Sequence, residues 1–477
     1  MGIALVEKKT GGMAERLLFC LLIIQPVLDV ASYWTTVYKL TAITTTVRML
    51  LLAACAVYGF LLSRRKKIYL AAAAVMAACF AGHLAAAAAG DCSDYLSDVS
   101  NFMRVIHMPV LTLCFITVFR RGRDVPQKIQ LAFFVNLLTI LAVLLLSCTV
   151  GPRNYTYDYH RIGLIGWTAV DNCQSAVVTL IVPLILVFAY RKNRPLLFLL
   201  CAVLCFGQLF FLGTRLALYS IFIIAGGMAA ILAVCREKRR VWYLVLAGVM
   251  LCTALCCRLS PNYAYGQSHE KVAQERQEWV EQTFDGVEPA DSFDAMTPAQ
   301  YDAYNTVYSA YLGGLVQRFG LERALEAYDY TLDPEILNNN RTKKLLFCGF
   351  AWDESGTLAH LFGMSYDQML YQDEVFDPEN DFNALVYTTG YVGTALYVLF
   401  LLYFAALIVK GLLTDFKGVF SVEAGAVGIT LCLILGAAQF SGNVLRRPNV
   451  SIYLSLMLAY AYWLTAGRRG IRLFEKK

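Results

Sequence analysis

Three observations predict an all-α polytopic membrane protein. Of its 477 residues 58% are hydrophobic and only 16% charged, and the mean hydropathy is +0.54, far from the balance of a soluble domain. Apolar runs near 20 residues, the length that crosses a bilayer as a helix, recur about twelve times. Lys and Arg gather in every second connection between those runs, as the positive-inside rule requires of a multi-pass chain.

The runs fall at about 17–38, 41–62, 68–89, 100–119, 129–150, 171–190, 195–213, 215–235, 241–257, 384–409, 419–441 and 450–467. The first reads as a retained span, because it leads into the second without a small-residue cleavage site. Basic clusters mark one side of the membrane: Lys8, Lys9 and Arg16; Arg64 to Lys67; Arg120, Arg121, Arg123 and Lys128; Arg191, Lys192 and Arg194; Arg236 to Arg240; Lys410 and Lys417; and Arg468, Arg469, Arg472, Lys476 and Lys477. They hold 25 of the 41 Lys and Arg, which makes that side, and both termini, cytoplasmic.

Opposite them one connection dominates. Residues 258–383 carry 22 of the 35 Asp and Glu against 8 Lys and Arg, an acidic extracytoplasmic domain. Helical spacing of apolar and aromatic positions in "DAMTPAQYDAYNTVYSAYLGGLVQRFG" predicts amphipathic helices there. The expected organisation is nine spans over 1–257, this domain over 258–383, three spans over 384–467, and a basic cytoplasmic tail over 468–477.

Most of the 15 Cys lie within spans and serve as small apolar residues; Cys92 and Cys348 stand in outer segments, with no pairing derivable from sequence. No C-x-x-C pair or His/Cys cluster offers a metal site, so neither metal nor cofactor is expected. A calcium site from Asp373, Glu374, Asp377 and Glu379 matches no known loop spacing. Nothing suggests nucleic acid as a partner.

The cations on the wrong side are more informative. Arg446 and Arg447 occupy a short outer loop, "SGNVLRRPNV"; Arg215 stands where two apolar runs meet; Arg153 and Arg161 lie in the outer loop 151–167; Arg341 lies late in the acidic domain; Arg48 and Arg104 fall inside spans two and four. An ionisable group at membrane depth faces a cavity or a partner. Snorkelling to the interface is the plainer reading of any one Arg, but several together favour an anionic ligand, because guanidinium forks match phosphate oxygens. A lipid pyrophosphate is the natural candidate.

A last stretch, "DPENDFNALVYTTGYVGTALY" (377–397), loads the mouth of a span with carboxylates and Asn. Glu379 and Asn380 are followed by nine residues, then Gly390, Tyr391, Val392 and Gly393. With the Gly-x-Arg at Arg215 and the large late loop, this order of features resembles the O-antigen ligase and O-antigen polymerase (Wzy-type) superfamily, whose ligases carry His, Asn/Ser/Gln, nine residues, Gly, two residues and Gly/Thr/Tyr. Here Glu379 stands where the ligases have His, which points toward the polymerase side. "QPVLDV", Arg48, "DNCQSAVVTLIVPLIL", "GTRLAL" and "NNNRTKKLL" with "LFGMSYDQM" resemble further landmarks of that family.

The resemblance implies a metal-independent, inverting membrane glycosyltransferase of a bacterial plasma membrane. An undecaprenyl-pyrophosphate-linked oligosaccharide is the donor and an acceptor glycan attacks it at the outer face, with membrane lipid as the setting and a chain-length regulator or flippase as candidate partner. On this reading Glu379 orients or deprotonates the acceptor hydroxyl, Asn380 helps to hold it, and Gly390 and Gly393 permit close packing. Arg215 is the first candidate for the pyrophosphate, followed by Arg161, Arg341, Arg446 and Arg447. The plainer alternative makes "DPEND" a helix N-terminus, its Asp and Asn capping backbone N–H groups. A ligase that attaches polymer to a lipid, wall or protein anchor is the neighbouring function, and a twelve-span transporter or flippase of lipid-linked sugars the competing one. Its two halves would be related, and here they are unlike. Glycosyltransferases with a diacidic first outer loop are excluded by the acid-free connection around Lys39.

Overall fold

A computed structural model describes residues 2–372, 374–471 and 473, with side chains from residue 11 onward. Of the residues used above, Asp373, Arg472, Lys476 and Lys477 lie outside the described residues, as do the side chains of Lys8 and Lys9. The chain forms two compact units, one of Met1–Ala74, Met103–Tyr265 and Tyr397–Lys477, the other of Val75–Phe102 and Gly266–Leu396.

Eleven helices among the described residues are long and apolar enough to cross a membrane, and they follow the expected runs with one exception. The ninth run becomes Arg240–Leu255, of 16 residues, about 24 Å at the helical rise against a hydrocarbon core of about 30 Å. Arg239 and Arg240 bound it at one end, and a 3-10 turn at Cys257–Leu259 with a new helix from Pro261 bounds it at the other. The expected count of twelve crossings is therefore corrected to eleven full-length helices and one short one. The first helix also begins well before the predicted start, at Gly2, and is interrupted at Ile24, where Pro26 opens the following Gln25–Val37 helix; hydropathy locates the apolar stretch and not the helical one.

In the first unit Asp171–Arg191 forms the centre. It packs against Val125–Thr149, Pro195–Leu212, Arg215–Val234, Val422–Phe440 and Pro448–Tyr462, and every residue from Cys173 to Val187 is buried. Small residues let the neighbours approach: a Cβ on Gly425 of Val422–Phe440 would stand 2.6 Å from the Ile231 side chain. Glu423, buried inside this bundle, is well partnered. Gln130 Nε2 donates to Glu423 Oε1 at 2.9 Å, Arg191 to Glu423 Oε2 at 2.7 Å, and the Tyr460 hydroxyl also donates to Glu423, as buried charge requires.

The second unit has a separate core in which Tyr304, Val307, Tyr308, Leu312 and Leu315 of the Pro298–Phe319 helix meet Leu325, Leu337, Phe347 and Phe376. A Thr297/Gln300 capping box starts that helix, and Asn339 caps Asn340–Asp353 by accepting from the N–H groups of Arg341 and Thr342. The predicted helical character holds, with one addition: a two-stranded antiparallel ribbon pairs Leu370 with Val375 and Tyr371 with Glu374. Cys92 and Cys348 are both unbridged; their thiols donate to Asp98 and to the Phe376 carbonyl.

Candidate functional site

In the second unit the "PEND" stretch ends in a helix start. Asn380 Oδ1 accepts from the N–H groups of Phe382 and Asn383, at 3.1 and 3.2 Å, and so caps the Asp381–Thr414 helix in the manner of an N-cap Asn. Immediately before it, Glu379 accepts from Arg341 Nε at 3.0 Å and Lys344 Nζ at 3.5 Å. Two candidates chosen separately from the sequence, Arg341 and Glu379, thus meet. Lys344, which sequence reasoning passed over, lies one helical turn from Arg341, so a basic pair three apart on the Asn340–Asp353 helix was the available signal. Glu374 pairs with Lys343 at 2.6 Å, so two of the four carboxylates considered for calcium are held by cations instead.

The long helix that Asn380 opens is broken inside the motif. Gly390 has φ 65° and ψ −174°, a conformation that only glycine adopts without strain. A Cβ there would stand 2.3 Å from the Leu361 carbonyl carbon and 2.4 Å from the Phe362 nitrogen. Gly363 mirrors it at φ 99°, where a Cβ would meet the Thr388 carbonyl oxygen at 2.3 Å, and the Met364 N–H donates to the Tyr387 carbonyl at 2.8 Å. Two backbone segments therefore cross in contact through paired glycines. Gly393 faces the Thr389 side chain; Thr388 and Thr389 donate to the carbonyls of Ala384 and Leu385.

The same unit anchors its short connection after Ala89. Asp367 Oδ2 accepts from Ser93 N and Oγ, at 2.6 and 2.7 Å, and from Asp94 N at 2.9 Å. Burial raises the Asp367 carboxyl, and these donors outweigh it, holding the group below its ordinary 3.8. Behind them His83 and Asp98, both buried, face each other at 3.6 Å.

In the first unit Arg215 owes its place to a turn. Gly213 ends the Pro195–Leu212 helix at φ 77°, Thr214 caps the next by accepting from Ala217 N, and Arg215 is the first residue of Arg215–Val234. The loop after Thr149 covers this turn, with Thr156 Oγ1 donating to the Leu212 carbonyl at 2.5 Å. Tyr157 stacks on Tyr265 with ring centres 3.7 Å apart. Its hydroxyl is pushed up to about 12 by burial first, then by Tyr265 and Asp171, against the pull of Arg215. Arg215 itself is exposed, as is Arg161, which stands at φ 54° in the turn closed by the Tyr157–Ile162 bridge.

Arg446 and Arg447 are more enclosed than a loop position suggests. Val444 and Leu445 are fully buried and Arg446 is 6% exposed. Arg447 Nε donates to Asn443 Oδ1 at 2.9 Å and leads into the Pro448–Tyr462 helix. Arg447 lines a cavity of about 140 Å³ together with Arg48, Arg104 and Asp29, and Arg48 Nη2 binds Asp29 Oδ1 at 2.6 Å. Both in-span arginines thus line a cavity. Asp29 was legible in principle: the hairpin turn near Lys39 places residues ten before and nine after it at one depth, which are Asp29 and Arg48. Arg161 and Arg215 are not among the residues that line this cavity.

Among curated proteins none matches the chain. A family model described as O-antigen ligase like membrane protein matches residues 12–463. That match includes residues of both units and every residue named in this subsection, and the chain belongs to this family of multi-pass membrane proteins.

Proposed function

We propose that this chain is a glycan polymerase that moves an oligosaccharide from undecaprenyl pyrophosphate to an acceptor glycan at the outer face of a bacterial plasma membrane. Family membership supports a membrane enzyme of polysaccharide assembly that uses lipid-linked glycans. The observation that carries the finer reading is Glu379, held between Arg341 and Lys344 one residue before the Asn380 cap. The carboxylate is 26% exposed on its side chain, close enough to solvent to meet a sugar hydroxyl.

In the reaction the acceptor oxygen attacks the anomeric carbon, the bond from that carbon to the phosphate oxygen breaks, and Glu379 takes the hydroxyl proton. Arg341, beside Glu379, stabilises the charge that develops on the departing pyrophosphate; Arg215, Arg161, Arg446 and Arg447 stay candidates for that group on the sequence reading alone. A single displacement inverts the anomeric centre, and the cations fill the role that a divalent metal fills in other transferases. Asn380 acts through the cap, fixing where Glu379 stands. Residues 258–383 form the extracytoplasmic domain on this reading, with both termini cytoplasmic.

The test is to extract the lipid-linked pool and the surface polymer from the host with and without the gene. Accumulation of a single lipid-linked repeat with loss of long polymer supports polymerisation. Long polymer that stays lipid-linked and fails to reach its anchor means ligation, and an unchanged pool removes the transferase reading.

A further inference from the structure

The donors and acceptors around His83, in the second unit, require one more proton than a neutral imidazole carries. His83 and Asp98 are 4% and 1% exposed. His83 Nδ1 lies 3.1 Å from the Phe362 carbonyl oxygen, and a carbonyl only accepts, so Nδ1 bears a hydrogen and donates. In a neutral ring the other nitrogen is then a bare acceptor, yet Nε2 faces Asp98 Oδ2 at 3.6 Å. Both Asp98 oxygens accept, Oδ1 from the Tyr366 N–H at 2.6 Å and Oδ2 from the Cys92 thiol, so the carboxylate offers no proton in return. Burial, and then Asp98, push that thiol up to about 11, and it keeps its hydrogen. Asp367, on the far side of Cys92, is taken up by Ser93 and Asp94, and Phe102 stacks on the imidazole without adding charge. A buried carboxylate opposite a lone pair is costly. A second ring proton, on Nε2, turns that repulsion into a buried ion pair.

What the pair holds is the segment that crosses the motif. The Phe362 ring lies against Gly82, where a Cβ would stand 2.4 Å from it, and the Phe362 carbonyl is bound by His83. Gly363 then meets the Thr388 backbone, the Met364 N–H donates to the Tyr387 carbonyl, and Tyr366 returns to Asp98. Residues 362–366 are thus fastened by turns to the His83 and Asp98 side chains and to the motif helix. Between the break at Gly390 and the cap at Asn380 lie the nine residues from Asp381 to Thr389, about 13 Å of helix, with Glu379 just past the far end. A shift of residues 362–366 swings this short helix and moves Glu379, and a misplacement of about 1 Å at a reacting group costs roughly a hundredfold in rate. We propose that His83, as an imidazolium paired with Asp98, is a positioning residue for the transfer site, holding the Phe362 carbonyl and thereby the angle at which the motif helix presents Glu379. The role in transfer rests on the reading of Glu379 as the base.

Full-length protein labelled with 15N-histidine is reconstituted in phosphatidylcholine nanodiscs and examined by solid-state NMR near neutrality. The His83 signal, one of five, is assigned by its contact with 13C-labelled aspartate. The expected result is a proton on both ring nitrogens of His83; a bare Nε2 overturns the proposal, and this measurement needs no variant to fold. Hydrogen exchange read by mass spectrometry then follows the Met364 amide. His83→Leu removes both contacts and should speed its exchange roughly tenfold or more. His83→Asn combined with Asp98→Asn supplies a neutral donor for Phe362 and an acceptor for Tyr366, and should return much of the protection. Wild-type exchange in His83→Leu overturns the hold on the segment. In transfer from lipid-linked repeat, His83→Leu should lower kcat roughly a hundredfold with the donor KM little changed, and the double variant should recover part of the loss; an unchanged kcat overturns the positioning role. Glu379→Gln should lose transfer while Met364 stays as protected as in the wild type. Full transfer by Glu379→Gln overturns the reading of Glu379 as the base, whereas the NMR and exchange results decide the ion pair and its hold independently of it.

Discussion

Replacing Gly390 by alanine puts a methyl group where two backbones already touch. The new Cβ would lie 2.3 Å from the Leu361 carbonyl carbon and 2.4 Å from its oxygen and from the Phe362 nitrogen, and none of these is a flexible side-chain end. The backbone would also have to hold an L-residue at φ 65° and ψ −174°, a strain of about 1–3 kcal/mol. Overpacking adds about 1–3 kcal/mol, for a combined loss of about 2–6 kcal/mol. Gly428 in the Val422–Phe440 helix is the internal control, since a Cβ there meets nothing within 4 Å and alanine should add about 0.5–1 kcal/mol of stability. The two variants are compared by thermal unfolding in one detergent, followed by intrinsic fluorescence and light scattering. Gly390→Ala should unfold many degrees below the wild type and Gly428→Ala at or above it. Equal midpoints for both variants would falsify the crossing of residues 361–363 over the motif, because no relaxation of side chains can relieve a contact with backbone atoms.

Three other outcomes are expected. Asp29→Leu or Arg48→Leu alone leaves a buried charge and should cost about 3–5 kcal/mol, while the double variant should recover much of the yield of monodisperse protein; equal yields from the singles and the double would refute the pairing. Asp367 has a folded value below its ordinary 3.8, so its contribution is fully present above that unfolded value and lost as pH falls through the lower folded one. The gap in thermal midpoint between wild type and Asp367→Asn should therefore be widest near neutrality and close below about pH 4, and a gap that grew on acidification would reverse the sign. On the proposed mechanism Glu379→Gln should slow transfer by about 10²–10⁴-fold with donor binding retained, measured by polymer formation from lipid-linked repeat and by donor retention on the immobilised protein; full activity removes Glu379 from the chemistry.

Hydropathy and charge made most of the fold legible, for physical reasons that also mark where they stop. Nearly every span was visible because lipid demands length and apolarity together, and the short Arg240–Leu255 helix looked like the others because Cys256 and Cys257 extend its apolar run past its last helical turn. The break at Gly390 could not be read, since a glycine inside a long apolar run looks the same whether the helix continues or stops; what forces it is Gly363, 27 residues earlier in the chain. Asn380 as a cap was legible from the local pattern, because capping depends on neighbours two and three residues on. The Glu379 pair with Arg341 was not, since 38 residues separate them. Arg48 and Arg104 were recognisable as anomalous, yet the cavity that they share with Arg447 depends on three distant segments meeting, which no local signal reports.

The helix at the centre of the first unit sets an order on how that unit is made. Asp171–Arg191 is apolar enough to leave the insertion machinery into lipid, yet from Cys173 to Val187 no residue of the finished bundle is left for lipid to touch. Its helix is complete before its neighbours arrive, and the lipid around it must be stripped away by segments synthesised both before and some 230 to 290 residues after it, Val422–Phe440 and Pro448–Tyr462 among them. Lateral assembly in the bilayer thus waits for the last spans to be translated. A chain halted before residue 422 would expose this helix to lipid and to quality-control proteases, so completion of the C-terminal hairpin is the step that commits the molecule to its final form.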